Sequence, residues 1–553
     1  MKSPIPKLFL LGAIALSVSG AAVPADAMNI TFVGDSITQG GSFLAGNVAS
    51  YRYSLFKHFV DNDITYAPMG TTVGAAKNVD VSALTPDYRG VKFSNVSEAA
   101  ASGRSYQYGG HEAGSGYRAD PDTVYPVENR GPVTIKLGQE NPYTGTENTF
   151  YDGTALKTYT GATYQSLYGN EKVETLCVMI GINDLYDGNS NSDILKHVEE
   201  IVKAYQTHNP NVRVHLFELL PTAANNGTGT NNKNNYFSYN EQLRNTGNSW
   251  STSTSTVSVD NISTGFYAEN GAMVDTNAGA HPNAQGELII AGNIARALGI
   301  GQRTAGLTRR AGTDLTSQLS FSANTAGGIT AKIADTSTEF STNSSAFSVN
   351  SEGNIVVNSA LSGGNDIRYT WNSTGTAREF TVSFSVKMSD TNAANNGFGV
   401  ILGNGAEAGI LYVTECGILW NTTLLYGSNN ISDTAHNTFD ATKDFSEITV
   451  AYLDGNSGVD AGFYVWLGDQ LIGESLNSIA GVNAHKDKIL FGDIGSSWLT
   501  QCELSAIAFD ASKAWAPSAA LTTAEFSLPE PSAFSLLFGA GVVAICALRR
   551  KRR

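Results

Sequence analysis

Residues 173–184 read VETLCVMIGIND. Val173 to Ile180 form an essentially continuous apolar run that stops at Gly181, without the alternation of a strand that has one wet face. Such a run reads as a strand buried on both faces, as in parallel sheets covered by helices. Its surroundings repeat the theme. An amphipathic stretch, Ser192 to His208, spaces Ile194, Leu195, Val198, Ile201, Val202 and Tyr205 at helical intervals, and VRVHLFELLP at 212–221 is a second buried strand. Upstream, ITFVG at 30–34 precedes a helical pattern, Tyr51 to Val60, and a short extended piece, ITYAPMG at 64–70. Downstream, AQGELIIAGNIARAL at 284–298 makes a closing helix. Strands alternating with helices predict an α/β domain with a mostly parallel sheet, whose ligand sites lie at the carboxyl ends of strands.

Three short pieces carry the chemistry. Gly34-Asp35-Ser36-Ile37-Thr38 and Gly181-Ile182-Asn183-Asp184 both follow strands, and His281-Pro282-Asn283 opens the closing helix. A serine hydroxyl is a poor nucleophile until an imidazole takes its proton, so Ser36 needs a histidine, and His281 is the candidate. The tetrahedral intermediate needs donors, which the Asn183 amide and the Ser36 backbone N–H can supply. Asp184 reads as a loop-ordering residue. No G-x-S-x-G surrounds Ser36, which argues against a lipase-type nucleophile elbow.

With these pieces in this order, residues 28–305 resemble the SGNH/GDSL hydrolase family. The resemblance implies a three-layer, flavodoxin-like α/β fold and hydrolysis of esters of lipids, sugars and other small acyl compounds. It implies Ser36 as nucleophile, Asn183 as oxyanion asparagine and His281 as general base. HEAGSGYRAD, residues 111–120, resembles a segment of carbohydrate acetylesterases in that family. That likeness places a second backbone oxyanion donor at Ala113 or Gly114, with Gly70 as the alternative, and His111 and Arg118 as candidate substrate-binding residues. One position departs from the family pattern. Where an aspartate is expected three residues before the histidine, this chain has Ala278, and the nearest carboxylate upstream is Asp275. Either Asp275 folds back to orient the imidazole, or a Ser–His dyad operates with a backbone carbonyl or Asn277 fixing the tautomer.

Composition changes after Arg309-Arg310. Helical periodicity gives way to short alternating runs punctuated by Asn, Gly, Asp and Ser: 347–359, 367–371, 379–388, 397–403, 409–414, 445–453, 461–468, 488–495 and 502–509. These read as antiparallel strands of an all-β sandwich over 311–526. The pattern resembles concanavalin-like or laminin-G-like jelly-roll domains. Trp420, Trp466 and Trp498 are candidate sugar platforms, and Asp454, Asp460 and Asp493 sit near predicted turns where a structural calcium could bind. No cofactor and no metal-ligand spacing is otherwise legible. Cys416 with Cys502 is the one plausible disulfide among four cysteines.

The ends read as addresses. Residues 1–27 have early lysines, an apolar run and Ala25-Asp26-Ala27, the pattern of a signal peptide. Residues 527–553 contain Pro529-Glu530-Pro531, an apolar run from Ala533 to Leu548 and a final RRKRR. This tail resembles the PEP-CTERM sorting signal, implying export through the inner membrane, a cell-surface or extracellular location, and partners in membrane sorting or processing machinery. The net charge of -15, of which RRKRR alone contributes +5, excludes the basic footprint of a nucleic-acid binder. The expectation is therefore a secreted serine esterase acting on short acyl esters of carbohydrate. The alternatives are a lipid or thioester hydrolase using the same residues, or a non-catalytic glycan-binding surface protein.

Overall fold

The computed structural model describes residues 25–40, 48–70, 88–91, 93, 112–113, 119, 140–141, 146–147, 172–186, 188–221, 232–268, 272–274, 281–310, 315, 317–323, 329–333, 339–342, 347–357, 366–370, 379–389, 397–403, 407–428, 439–455, 460–479, 488–492 and 501–518. In the first half the strands are β1 (Ala25–Gly34), β2 (Ile64–Pro68), β3 (Glu112–Ala113), the short pair β4 (Glu140–Asn141) and β5 (Thr146–Glu147), then β6 (Thr175–Met179), β7 (Arg213–Phe217) and β8 (Val257–Asp260). The helices are α1 (Ser36–Gln39), α2 (Tyr51–Asp61), α3 (Ile182–Tyr186), α4 (Asn191–His208), α5 (Asn232–Thr246) and α6 (Ala284–Ala297).

Five strands form a parallel sheet in the order β2-β1-β6-β7-β8. All five residues of β6 are buried, so both faces of the sheet are covered, as the apolar run in VETLCVMI requires. The stripe Ile194, Leu195, Val198, Ile201, Val202 and Tyr205 is the buried face of α4. Strand order reverses between β1 and β6, the switch point at which such sheets bind ligands. The fifth strand and α5 lie inside 222–270, which reads in sequence only as a polar insert. In α5 the buried residues are Tyr236, Tyr239, Asn240 and Leu243, a helical stripe made mostly of tyrosine and asparagine rather than aliphatic residues.

The second half folds into two antiparallel sheets. Its strands are β9 (Ser317–Ala323), β10 (Ile329–Ile333), β11 (Glu339–Thr342), β12 (Phe347–Val349), β13 (Ile355–Val357), β14 (Asp366–Thr370), β15 (Phe380–Met388), β16 (Gly397–Gly403), β17 (Ala408–Thr414), β18 (Gly417–Trp420), β19 (Thr423–Gly427), β20 (Ser446–Leu453), β21 (Gly462–Leu467), β22 (Gln470–Leu476), β23 (Lys488–Gly492) and β24 (Cys502–Asp510). One sheet runs β11-β10-β9-β24-β15-β20-β21-β22, with β13 pairing β24 and β12 pairing β13; the other runs β14-β23-β16-β17-β18-β19. They pack face to face through apolar side chains, such as Phe384 edge-on to Phe491 with centroids 5.4 Å apart.

Two expectations for this half are corrected. Cys416 and Cys502 are free, buried thiols, and the Cys416 thiol donates to the Ser428 carbonyl at 3.1 Å. Trp420 and Trp466 offer no ring face to a sugar. Both are buried; Trp420 Nε1 donates to Asn477 O at 2.9 Å and Trp466 Nε1 to Arg303 O at 3.1 Å. Trp498 lies outside the described residues, as do Asp493 and both chain ends. Among the described residues there is no group of three or more acidic, histidine or cysteine side chains placed to hold a metal ion. Among the same residues no helix is long and apolar enough to cross a membrane.

The halves meet through a buried charge cluster. Arg303, fully buried, donates to Glu474 on β22 at 2.7 and 2.6 Å and lies 3.9 Å from Asp61 at the end of α2. Lys57 reaches Glu474 at 3.3 Å. Burial would pull the Arg303 guanidinium down, but Glu474 outweighs it and holds it firmly charged; the same contact keeps the Glu474 carboxyl far below its ordinary range.

Candidate active site

The carboxyl end of β1 is crowded. A Cβ at Gly34 would lie 2.2 Å from Thr38 Oγ1 and 2.8 Å from the Met179 carbonyl, so only glycine lets the chain turn there. Asp35, with extended φ and ψ of -104° and -151°, then accepts Ile37 N–H at 2.9 Å and caps the one-turn helix α1. Ser36 is thereby the first helical residue. Its Oγ lies 2.8 Å from His281 Nε2.

The far end of this turn is pinned by the start of α2. Thr38 O accepts both Ser50 Oγ at 3.0 Å and Arg52 Nε at 2.8 Å, and Gln39 O accepts Arg52 Nη2 at 3.1 Å. Tyr51 OH reaches Thr38 Oγ1 at 3.1 Å, while Tyr51 N–H donates to Glu287 Oε2 at 2.6 Å. Glu287 belongs to α6, the helix that follows His281. A buried chain of hydrogen bonds thus joins the serine turn to the histidine helix. Burial pushes the Glu287 carboxyl well above its ordinary range, against the Tyr51 N–H and the Arg52 charge. Sequence reading singles out none of Ser50, Tyr51, Arg52 or Glu287. The available signal is a serine before a helical pattern beginning YR, which reads only as an N-cap.

His281 sits on a paired segment. Val274 bridges Pro282, Asn283 N–H donates to Met273 O at 3.0 Å, and Asn283 Nδ2 donates to Ala272 O at 2.9 Å. The Asn283 side chain also caps α6, accepting Gly286 N–H at 3.0 Å. For Nε2 to accept the Ser36 proton, the imidazole must carry its own proton on Nδ1, which is buried. Asp275, expected to face Nδ1, lies outside the described residues, as do Asn277 and Ala278.

The other candidates converge on the same strand end. In register, Gly34 is flanked by Met179 of β6 on one side and Ala113 of β3 on the other. Asn183, half-buried, lies four residues after Met179, in α3. Asp184 orders this loop, as its sequence position suggests. It is fully buried, its Oδ2 accepts Ala119 N–H at 2.8 Å, and its carbonyl accepts Asn189 N–H at 3.0 Å. Gly70 follows β2, whose last pairing with β1 is Pro68 against Ile30, four residues short of Gly34. The register therefore favours Ala113 over Gly70 as a neighbour of the serine. His111, Gly114 and Arg118 lie outside the described residues.

The electrostatics single out Asp35. Burial pushes its carboxyl up to about 7, the Ile37 N–H opposes this, and the nearby Asp184 carboxyl adds to it. Asp35 Oδ2 has no hydrogen-bond partner among the described residues. Below about pH 7, where Asp35 is protonated, no fixed negative charge sits beside Ser36 near the position where an oxyanion would form.

Residues 30–294 match the model of the GDSL-like lipase/acylhydrolase family. Similar solved structures include a carbohydrate esterase family 3 protein from Talaromyces cellulolyticus, 16% identical, covering 49% of this chain and 96% of that one with a TM-score of 0.31. A family 3 carbohydrate esterase of Clostridium thermocellum is 14% identical and covers 49% of this chain and 94% of its own, with a TM-score of 0.29. A botulinum neurotoxin type C structure, from work on its interaction with gangliosides, is 13% identical over 36% of this chain and 49% of that chain, with a TM-score of 0.23. No curated protein matches the sequence.

Proposed function

We propose that the protein, whose residues 30–294 match the GDSL-like lipase/acylhydrolase model, is a serine ester hydrolase that removes O-acetyl or similarly short acyl groups from carbohydrate. The observation that carries the reading is the 2.8 Å contact between Ser36 Oγ and His281 Nε2 at the sheet's switch point. Ser36 Oγ attacks the ester carbonyl while His281 Nε2 takes its proton. The tetrahedral oxyanion is met by the Ser36 N–H, the backbone N–H of Ala113 or Gly114 and the Asn183 side-chain amide. Collapse breaks the ester C–O bond, and His281 returns the proton to the departing alcohol. Water then adds to the acyl-enzyme, giving a proton to His281, and Ser36 leaves reprotonated as the carboxylic acid is released.

The carbohydrate part of the reading is supported by HEAGSGYRAD, the acetylesterase-like segment, whose Ala113 runs beside Gly34. The signal-like start and the PEP-CTERM-like tail support export to the cell surface or beyond, where polymeric glycans are met. The test is turnover of acetylated xylan against p-nitrophenyl esters of increasing acyl length. Preference for acetyl, and release of acetate from the polymer, is expected. Preference for long acyl chains would replace the carbohydrate reading with a lipid one.

A further inference from the structure

Besides its bonds within the first domain, the segment that carries His281 is bonded to the second domain on both sides of the histidine. Before it, Gly265 O accepts the N–H of Gly427 at 2.9 Å. Gly265 has φ of 75° and lies close to the Tyr426 ring, where a Cβ would sit 2.1 Å from a ring carbon. After it, Gln285, in the first turn of α6, directs its Nε2 to two carbonyls, Leu425 O and Ile472 O, each at 2.7 Å.

These acceptors have a common origin. Leu425 is the extra residue of a bulge in β19, where the register with β18 shifts between Ile418↔Tyr426 and Leu419↔Leu424. A bulge frees and re-aims backbone groups that a regular ladder would consume. Ile472 belongs to β22. β19 and β22 are end strands of the two sandwich sheets, so the first turn of α6 lies across the open edge of the sandwich. Further along, Gln470 Nε2 contacts Ile289 O and Asn293 Oδ1, both at 3.4 Å. An unpaired sheet edge is satisfied here by the helix that follows the general base.

We infer that the β-sandwich is part of the catalytic unit, its edge strands holding Gly265 and Gln285 on either side of His281 so that the imidazole stays within reach of Ser36, with Gln285 as the positioning residue. The inference rests on the esterase reading of Ser36 and His281. Gln285 does not touch the reacting atoms; it fixes the backbone four residues beyond the imidazole. Its loss is expected to disturb the proton-transfer geometry more than substrate capture.

The test uses the full chain, with p-nitrophenyl acetate turnover and fluorophosphonate labelling as readouts. Gln285→Ala is expected to lower kcat about tenfold with KM nearly unchanged and to slow labelling equally. Gln285→Glu retains a donor only while protonated, so its deficit relative to wild type is expected to grow as pH rises through the new carboxyl's titration. This variant at low pH carries the same test should Gln285→Ala not fold. Arg310→Ala, which removes a domain contact to Glu447 on β20, is the control, expected to lower thermal stability without lowering kcat. Folded Gln285 variants with wild-type kcat, or a kcat loss in Arg310→Ala matching that in Gln285→Ala, would overturn the positioning role. A wild-type chain that neither turns over nor labels would instead defeat the esterase reading itself.

Discussion

The serine side and the histidine side of the site are secured by different means. Ser36 sits on a turn fixed by its own domain: Gly34 admits the turn, Asp35 caps it, and Ser50, Tyr51 and Arg52 bond its far end. His281 belongs to a long segment whose ends are tied to the sandwich at Gly427, Leu425 and Ile472. The nucleophile is therefore a local property of the first domain, whereas the base, bonded to that domain through Asn283 and Glu287, is tied to the second domain as well. Perturbations on the two sides should differ in kind, and several experiments can break or sharpen that contrast.

The largest effects should be equal on both sides. Ser36→Ala and His281→Ala each remove one half of a unit that works only together, and each is expected to lower kcat by at least about 10³-fold, with the double variant little worse. Additive losses would show that the pair does not act as one. Next comes the serine turn. Gly34→Ala forces a methyl into Thr38 and the Met179 carbonyl and is expected to cost about 3 kcal/mol in urea unfolding and to reduce activity sharply. Glu474→Gln, at the domain junction, takes the partner from buried Arg303. Because Glu474 is 26% exposed, the expected loss is reduced to about 2 kcal/mol.

An effect of a different kind is in pH dependence. Folded Asp35 keeps its proton up to about 7, against 3.8 ordinarily, so between these values the native state binds more protons than the unfolded one. Asp35 therefore favours folding most below pH 4, and its contribution is lost as pH rises towards 7, by up to about 1.4 kcal/mol per pH unit. Unfolding free energies measured from pH 4 to 7 should decline less steeply in Asp35→Asn. An unchanged slope would mean that Asp35 is ionised in the folded protein.

The contrast also marks what the sequence could and could not convey. VETLCVMI, the α4 stripe and the closing helix were legible because aliphatic periodicity is written locally, and Ser36, Asn183 and His281 because each closes or opens such an element. The α5 stripe was not, since its buried residues are two tyrosines and an asparagine with a single leucine, in an Asn-rich run. Nor were Glu287 and Gln285, which look like ordinary polar residues of a helix and gain meaning only from partners 236 and 140 residues away. The tryptophans misled for the same reason. An aromatic residue in a strand pattern has one identity and two possible environments, and burial of Trp420 and Trp466 is a tertiary fact.

The most direct measurement is covalent capture of the wild-type chain by a fluorophosphonate, with the modified residue located by mass spectrometry. The expected result is a single adduct on Ser36, formed in proportion to lost p-nitrophenyl acetate turnover and absent or greatly slowed in His281→Ala. An adduct at another residue, or a folded protein with turnover that survives complete modification of Ser36, would contradict the Ser36–His281 assignment.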